Sequence, residues 1–364
     1  MPLSRQQFIA RSLALCSLSP LAPLTSWAEK HNNKPVSEED SLPQWNFPSL
    51  QQRLQQPVML KKVDLLKTMD NYFLVVSDQQ GNKGVAQCNA RMPNLISLLK
   101  GLVIPYFLNK DARDIAQLVD NAYRLNSNYK YTGMPLWNWI GSVEIAVWDL
   151  LGNIAGVPVH HLLGTAVRKE YSVYISDWSR EGDPIGIAEN LLAKLKATGA
   201  TGIKIKVGGR MSNSKENNAQ TNRYIPALRK ILGNNVSIYA DANGSYTPAE
   251  GIATGRLLEQ YGISIFEEPC NFEDEEGMQR VTRSLKNIKV AGGEQDSSAY
   301  RFRRFAANGI YQILQPDVYY NGGILKTLQV ALIAKKYGAN RNSSTYAKGR
   351  STHRSLLAGG SIGA

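Results

Sequence analysis

The stretch that decides the fold begins with Gly202-Ile-Lys-Ile-Lys-Val207 and continues with Val236-Ser-Ile-Tyr-Ala-Asp-Ala-Asn243. Three more apolar runs follow at similar intervals: Ile263–Pro269, Ile288–Glu294 and Tyr311–Asp317. Each run is short and rich in Ile, Val, Tyr or Phe, which is typical of a buried parallel strand. Because the space between successive runs fits one helix, the stretch predicts a repeating strand and helix unit.

The connecting helices carry their own sequence signals. Thr247-Pro-Ala-Glu250 is a capping box with Pro at the first helical position, and it predicts a helix that ends near Gly262. Further amphipathic helices are predicted over Ile185–Thr198 and Ile324–Tyr337. With Ser172–Ser176 as a first strand, six strands alternate with helices. This α/β pattern favours a (β/α) barrel, with an open doubly wound sheet as the alternative.

Polar side chains fall where the predicted strands end. In a parallel barrel these ends form the active face, so Asp241, Glu267 and Glu294 are expected to converge there. Carboxylate oxygens are the ligands that Mg2+ prefers, which makes these three residues candidate metal ligands. Lys204 and Lys206 are two residues apart on one strand and therefore point the same way, into the same site.

Each of these residues also has a structural interpretation. A Lys-x-Lys pair on a strand is usually a solvated face, although the apolar residues at 203, 205 and 207 argue against an exposed strand. Asp317 is either a catalytic group or a helix cap. Glu268 points to the opposite face from Glu267 and is expected to form a structural salt bridge. Cys270 has no base beside it in the sequence, which argues against a nucleophilic role.

The segment before the barrel has a different pattern. Strands are predicted over Val58–Met69 and Tyr72–Ser77, a turn over Asp78–Gly84 and a helix over Leu95–Val103. Gly141–Gly156 reads as a tightly packed helix whose small residues allow close approach of another backbone.

At this point the motifs resemble a known family. They are Ala146-Val-Trp-Asp-Leu-Leu-Gly152, the Lys204/Lys206 pair, Asp241-Ala-Asn243, Phe266-Glu-Glu-Pro269, Gly292-Gly-Glu294, Gln315-Pro-Asp317 and Asn321-Gly-Gly323. In this order and at these intervals, they are similar to the mandelate racemase and muconate lactonizing branch of the enolase superfamily. The resemblance implies an enolase-type modified (β/α)7β barrel, here incomplete at the C-terminus, with an N-terminal α+β capping domain.

The resemblance also implies a chemistry, namely removal of the proton next to the carboxylate of a hydroxy acid or sugar acid, with a bound Mg2+. Lys206 is then the base, Lys204 its modulator or a contact to the substrate carboxylate, and Asn243 a substrate contact. The expected enzyme is a lyase of the sugar-acid dehydratase kind or an isomerase of the racemase or epimerase kind. A complete barrel is expected to form a homo-oligomer.

The sequence departs from the family near its end. In the mandelate racemase group, Asp317 would orient a His on the next strand, but Ala339–Tyr346 contains no His. The residues after Gly338 read as unrelated sequence, as a frameshift or a fragment would produce. The alternative hypothesis is therefore a truncated, catalytically inactive relative that retains only the metal site.

The N-terminus resembles an export signal. Arg5 and Arg11 flank the start of the apolar run 12–24, and small residues precede a cleavage site after Ala28. Export to the periplasm is expected, with a cytoplasmic location, lipidation at Cys16 and a buried core helix as alternatives. The predicted division is a signal peptide at 1–28, a linker or arm at 29–56, a capping domain at 57–165, a barrel at 166–338 and a divergent tail at 339–364.

Composition agrees with an enzyme-sized globular chain. The 364 residues carry a formal net charge of +12, which invites a nucleic-acid interpretation. The basic residues are spread along the chain, however, and no zinc-finger, helix-turn-helix or RNA-binding signature accompanies them. A small carboxylate substrate is therefore the expected partner, with no nucleic acid and, once the signal is removed, no membrane.

Overall fold

The computed structural model describes residues 41–68, 71–166, 170 and 172–339. The predicted signal peptide, the first part of the predicted arm and the predicted tail from residue 340 lie outside these residues. The strands are β1 (Leu60–Thr68), β2 (Asn71–Asp78), β3 (Lys83–Gln87), β4 (Tyr174–Ser176), β5 (Gly202–Lys206), β6 (Ser237–Asp241), β7 (Ile265–Glu267), β8 (Lys289–Gly292) and β9 (Ile313–Leu314).

The helices surround two separate sheets. They are α1 (Leu50–Arg53), α2 (Ile96–Leu98), α3 (Ile104–Phe107), α4 (Ile115–Arg124), α5 (Met134–Ala155), α6 (Val159–Leu163), α7 (Pro184–Thr198), α8 (Lys215–Leu232), α9 (Pro248–Gln260), α10 (Glu275–Ser284), α11 (Ala299–Ala307) and α12 (Ile324–Tyr337). Among the described residues, no helix has both the length and the apolar character needed to cross a membrane.

The second sheet confirms the predicted α/β pattern. Its six parallel strands run in the order β4-β5-β6-β7-β8-β9, each joined to the next by one helix. On β5, Ile203 and Ile205 belong to the hydrophobic core that the helices cover. Because side chains alternate along a strand, Lys204 and Lys206 lie on the other face, inside the curve of the sheet. The capping box at Thr247 is present as predicted.

The first sheet is antiparallel, with β2 between β1 and β3. The sequence pattern predicted only two of these strands and assigned Gly84 to a turn, which was wrong. Gly84 lies in β3, where the backbone of α5 approaches so closely that an added Cβ would lie 2.1 Å from the carbonyl oxygen of Ala146. Its glycine therefore serves close packing rather than chain reversal.

One prediction before α5 needs correction. Residues 92–107 are helical but irregular, since a 3-10 turn and a π turn interrupt the single helix predicted over Leu95–Val103. The described part of the predicted arm packs onto the protein. Leu50 is buried in the N-terminal core, and the indole Nε1 of Trp45 donates a 3.0 Å hydrogen bond to the carbonyl oxygen of Leu163.

The turn before α12 joins the N-terminal core to the barrel. Gly141 on α5 lies against this turn, because a Cβ at Gly141 would lie 2.7 Å from the backbone of Gly322 and of Gly323. Glu144, one helical turn further along α5, accepts hydrogen bonds from the backbone N–H of Ile324 at 2.8 Å and of Leu325 at 3.1 Å. This carboxylate therefore caps the start of α12, which positions the segment after β9.

We expect Gly141→Ala to destabilise the fold by roughly 1 to 3 kcal/mol, because the new methyl group would meet backbone atoms that cannot move aside. Chemical denaturation measures this free energy. Gly101→Ala is the matched control, since nothing lies within 4 Å of a Cβ there. Equal stability of the two variants would contradict the close contact at Gly141.

Glu144 also predicts a pH dependence. Burial raises its pKa to about 7, although hydrogen bonds from Ile324, Leu325 and Trp148 oppose the shift. An unfolded glutamate titrates near pH ~4.3, so the folded chain binds the proton more tightly. This tighter binding stabilises the folded state fully below pH ~4.3. The stabilisation is lost as the pH rises from there through about 7, which lowers the free energy of unfolding by roughly 3 kcal/mol.

We expect Glu144→Gln to remove this contribution, because glutamine does not titrate. The free energy of unfolding of both proteins would be measured in urea at pH 5 and at pH 8. The parent protein should lose more stability than the variant over this interval, whatever the absolute stability of the variant. An identical change in both proteins would show that Glu144 keeps an ordinary pKa.

Candidate active site

The predicted site residues come together through the register of the parallel strands. Lys206 on β5 pairs with Asp241 on β6, and Asp241 pairs with Glu267 on β7. Paired residues of a parallel sheet share one face, so the three side chains lie side by side. Lys204, two residues earlier, lies on the same face. All four side chains are at most 2% exposed.

The two lysines of this cluster form ion pairs with its two carboxylates. The Nζ atom of Lys204 lies 2.8 Å from Oε2 of Glu267 and 3.3 Å from Oδ2 of Asp241. The Nζ atom of Lys206 lies 2.5 Å from the same Oδ2 atom of Asp241. The solvated Lys-x-Lys alternative is therefore wrong, because both ammonium groups are buried among carboxylates. Burial lowers the pKa of Lys204, but the charges of Glu267 and Asp241 outweigh it and hold the pKa above its usual value.

Asn243 links this cluster to the loop after β4. Its Oδ1 atom accepts a hydrogen bond from Lys206 Nζ at 3.1 Å and one from Arg180 Nη2 at 2.6 Å. The other terminal nitrogen of Arg180 donates at 2.9 Å to the carbonyl oxygens of Val207 and Gly208. Arg180 therefore ties three parts of the active face together.

Two non-glycine residues that follow β6 and β7 have left-handed backbone angles. Asn243 has a φ of 47° and Glu268 has a φ of 44°. Asparagine tolerates this region because its short amide can bond locally, whereas glutamate has no such compensation. Such strain costs about 1 to 3 kcal/mol at each site and is found where surrounding contacts enforce it.

An aromatic side chain covers the base candidate. The ring of Trp178, which is 53% exposed, lies with its centroid 4.6 Å from Nζ of Lys206. Trp178 and Arg180 both follow β4, the first strand of the parallel sheet. Lys206 therefore lies between a buried carboxylate on one side and an accessible aromatic face on the other.

Gln315, Asp317 and Cys270 differ in their contacts. Gln315, at the end of β9, donates from Nε2 to Oε2 of Glu267 at 3.4 Å. Asp317 is buried, and its Oδ1 accepts hydrogen bonds from the backbone N–H of Tyr319 at 2.8 Å and of Tyr320 at 3.1 Å. These are the contacts of an Asx-type turn, whereas the N-cap of α12 is Gly323, so the helix-cap alternative for Asp317 is wrong and its catalytic role stays a prediction. Burial raises the pKa of the Cys270 thiol to about 12, so no reactive thiolate forms near neutral pH.

The candidate metal ligands are gathered only in part. Asp241 and Glu267 both contact one cation, the Lys204 ammonium, so together they already accommodate positive charge. Glu294 follows the end of β8 and is half-buried. Within the described residues, no group of three His, Cys, Asp or Glu side chains could hold a metal ion. Carboxylate oxygens are the donors that Mg2+ prefers, so the chemistry of this buried pair fits the ion, while the three-carboxylate set stays a prediction.

Comparison with known proteins identifies the family. The chain matches the N-terminal domain of mandelate racemase and muconate lactonizing enzyme over residues 56–164 and the enolase C-terminal domain-like family over residues 186–351. The structure of a proposed racemase from Roseobacter denitrificans superposes with a TM-score of 0.70 and 31% identity, covering 77% of this chain and 76% of that one. The chain belongs to the enolase superfamily.

Two other relatives illustrate this enolase-superfamily membership. Arabinonate dehydratase from Saccharolobus solfataricus is 28% identical over 66% of this chain and 62% of its own length, so the chain spans less than two thirds of that enzyme. A mandelate racemase/muconate lactonizing protein from Paracoccus denitrificans, solved in complex with magnesium, is 25% identical, with a TM-score of 0.71 and 77% of each chain covered.

Sequence reasoning missed two residues of this enolase-superfamily site, Trp178 and Arg180. A usable signal was present, because Asp177-Trp-Ser-Arg180 directly follows the first predicted strand of the barrel. The rule that places Asp241 and Glu267 at the active face applies equally to residues after that strand. Their individual contacts could not be foreseen from the pattern.

Proposed function

We propose that this enolase-superfamily protein abstracts the proton next to the carboxylate of a sugar acid or hydroxy acid. The observation that carries the proposal is the pair of buried lysines held by Asp241 and Glu267 at the active face. These two ammonium groups and two carboxylates are at most 2% exposed. Because burial of charged groups is costly, a purely structural strand would carry its lysines on a solvated face instead. The similarity to arabinonate dehydratase supports a sugar acid as substrate.

The reaction requires stabilisation of new negative charge. Loss of the proton leaves an enediolate on the former carboxylate, and catalysis depends on positive charge placed where this charge develops. Lys204 supplies a fixed ammonium group there, because Glu267 and Asp241 hold its Nζ atom. The amide of Asn243 offers a neutral hydrogen-bond donor to a substrate oxygen.

Lys206 is the proposed base. Its Nζ atom is fixed by Asp241 and Asn243 and lies beneath the exposed ring of Trp178. Trp178 limits the approach of water from that side and provides an apolar wall for the carbon chain of a substrate. As a neutral amine, Lys206 accepts the α-proton and becomes an ammonium group, which can deliver that proton to a leaving hydroxyl group and so give dehydration. Epimerisation requires a second acid that protonates the carbon from the opposite face.

A Mg2+ ion is part of this proposal. Asp241 and Glu267 would hold it, with Glu294 as the third candidate ligand. When bound, it supplies a Lewis acid beside the substrate carboxylate. Support comes from the donor set itself and from the relative that was solved with magnesium.

The test is exchange of the α-proton with deuterated water in the presence of Mg2+. A panel of aldonic, aldaric and simple hydroxy acids would be followed by proton NMR, and any 2-keto acid product would be trapped with semicarbazide. Exchange together with a 2-keto product would indicate a dehydratase, whereas exchange with inversion alone would indicate an epimerase. Mg2+ binding without exchange of any acid would contradict the proposed activity and favour the inactive relative.

Export also remains a proposal. The N-terminal signal predicts that the mature protein begins after Ala28 and resides in the periplasm. Mass spectrometry of the native protein would determine its first residue. An intact Met1 on a cytoplasmic product would overturn the export proposal.

A further inference from the structure

The half-buried Arg180 makes three hydrogen bonds at the active face that the proposed chemistry does not use. It lies on the loop between β4 and α7 and bonds to Asn243, Val207 and Gly208. The two carbonyl groups directly follow Lys206 in the chain. Arg180 therefore holds both the backbone that follows Lys206, the proposed base, and the amide of Asn243 beside it.

The contacts of Asn243 fix the direction of its amide. A guanidinium and an ammonium group are donors only, so the atom that lies 2.6 Å from Arg180 Nη2 and 3.1 Å from Lys206 Nζ must be the oxygen. Turning the amide over would place its NH2 group against two cationic donors. The N–H groups of Asn243 must therefore face away from both cations.

We propose that Arg180 is a positioning residue that locks the amide of Asn243, so that its oxygen steadies Lys206 and its N–H groups face an oxygen of the bound acid. This inference rests on the proposed function for the nature of the ligand. The role proposed for Arg180 acts through Asn243 and is separate from its hydrogen bonds to Val207 and Gly208 on the loop after β5.

The left-handed backbone of Asn243 supports this role. At a φ of 47°, the residue keeps its conformation only because its surroundings enforce it. The backbone N–H of Asn243 donates to Oδ1 of Asp241 at 2.9 Å, and its carbonyl oxygen accepts from Met211 at 3.0 Å. With the backbone held on both sides, the Arg180 contact selects the direction of the side chain.

A double-mutant cycle tests the dependence on Asn243. Arg180→Met, Asn243→Ala and the double variant would be compared in the rate of α-proton exchange. We expect Arg180→Met to lower kcat/KM by about ten- to a hundredfold in the parent, because misplacement of a contact group by about 1 Å costs this much. In the Asn243→Ala background, the same change should have little further effect.

Arg210→Met is the matched control. Arg210 is an exposed arginine on the loop after β5, so this variant removes the same charge near the mouth of the site without touching Asn243. We expect it to exchange the α-proton at the parent rate. If Arg180→Met and Arg210→Met lowered the exchange rate equally, only the positive charge near the mouth of the site would matter. Fully additive losses in the cycle would show that Arg180 acts only on the loop.

Crystal structures of the parent, Arg180→Met and Arg210→Met proteins give a test that does not depend on activity. We expect the Asn243 side chain to leave Lys206 in Arg180→Met and to stay in place in Arg210→Met. An unchanged Asn243 in Arg180→Met would overturn the inference even if the enzyme is active. If no acid is exchanged by the parent, the proposed function fails, and the crystal structures alone decide whether Arg180 positions Asn243.

Discussion

Lys206→Ala is expected to reduce α-proton exchange by about 10²- to 10⁴-fold, the usual contribution of a positioned general base. Lys204 cannot take over, because its Nζ atom is held between Glu267 and Asp241 and the residue lies two positions before Lys206, further from the end of β5. Lys204 also contacts Asp241, but Lys206 is the lysine that bonds to both Asp241 and Asn243.

The matched control for this variant is Lys289→Ala. Lys289 is also a lysine of the parallel sheet, but it begins β8 and therefore lies at the opposite end of the strands from the active face. Exchange should proceed in this variant at the parent rate, and circular dichroism would verify that both variants are folded. Undiminished exchange in a folded Lys206→Ala protein would refute its assignment as the base.

Glu267→Gln is expected to weaken Mg2+ binding by more than about tenfold, equivalent to about 1.4 kcal/mol. The substitution keeps the shape of the side chain but removes one of the two buried negative charges. The Lys204 ammonium would then rely on Asp241 alone, so repulsion of a second cation would also increase. Isothermal titration calorimetry with MgCl2 measures the affinity directly.

Glu273→Gln provides the comparison for the metal experiment. Glu273 lies on the exposed surface shortly after β7, so its substitution changes the net charge by the same amount without altering the cluster. We expect its Mg2+ affinity to equal that of the parent. If Glu267→Gln also binds Mg2+ as tightly as the parent, Glu267 is not a ligand and the proposed metal site is wrong.

Much of the parallel sheet could be predicted because its strands are buried on both faces. Most strands therefore appear in the sequence as short, mainly apolar runs, and the polar residue at the end of β5, β6 and β7 marks the active face. The N-terminal sheet was harder to predict. Strand β3 contains Gly84, whose lack of a side chain suggests a turn, although its actual cause is the approach of α5.

The candidate site was predictable to the same extent and for the same reason. Lys206, Asp241 and Glu267 each end a strand, and the register of the strands brings them together without further information. Arg180 is different, because its bond to Asn243 joins residues 63 positions apart through an irregular loop. No periodicity encodes such a contact. The turn contacts of Asp317 likewise depend on the local path of the chain that follows it.

The left-handed conformation of Asn243 places stability and chemistry in opposition. A glycine at this position would relax the backbone, and the fold would gain stability from the change. Such a substitution would also delete the amide that bonds to Lys206 and Arg180. Random mutagenesis selected only for thermal resistance should therefore drift toward a weaker enzyme at this position, while selection for turnover should preserve the strain.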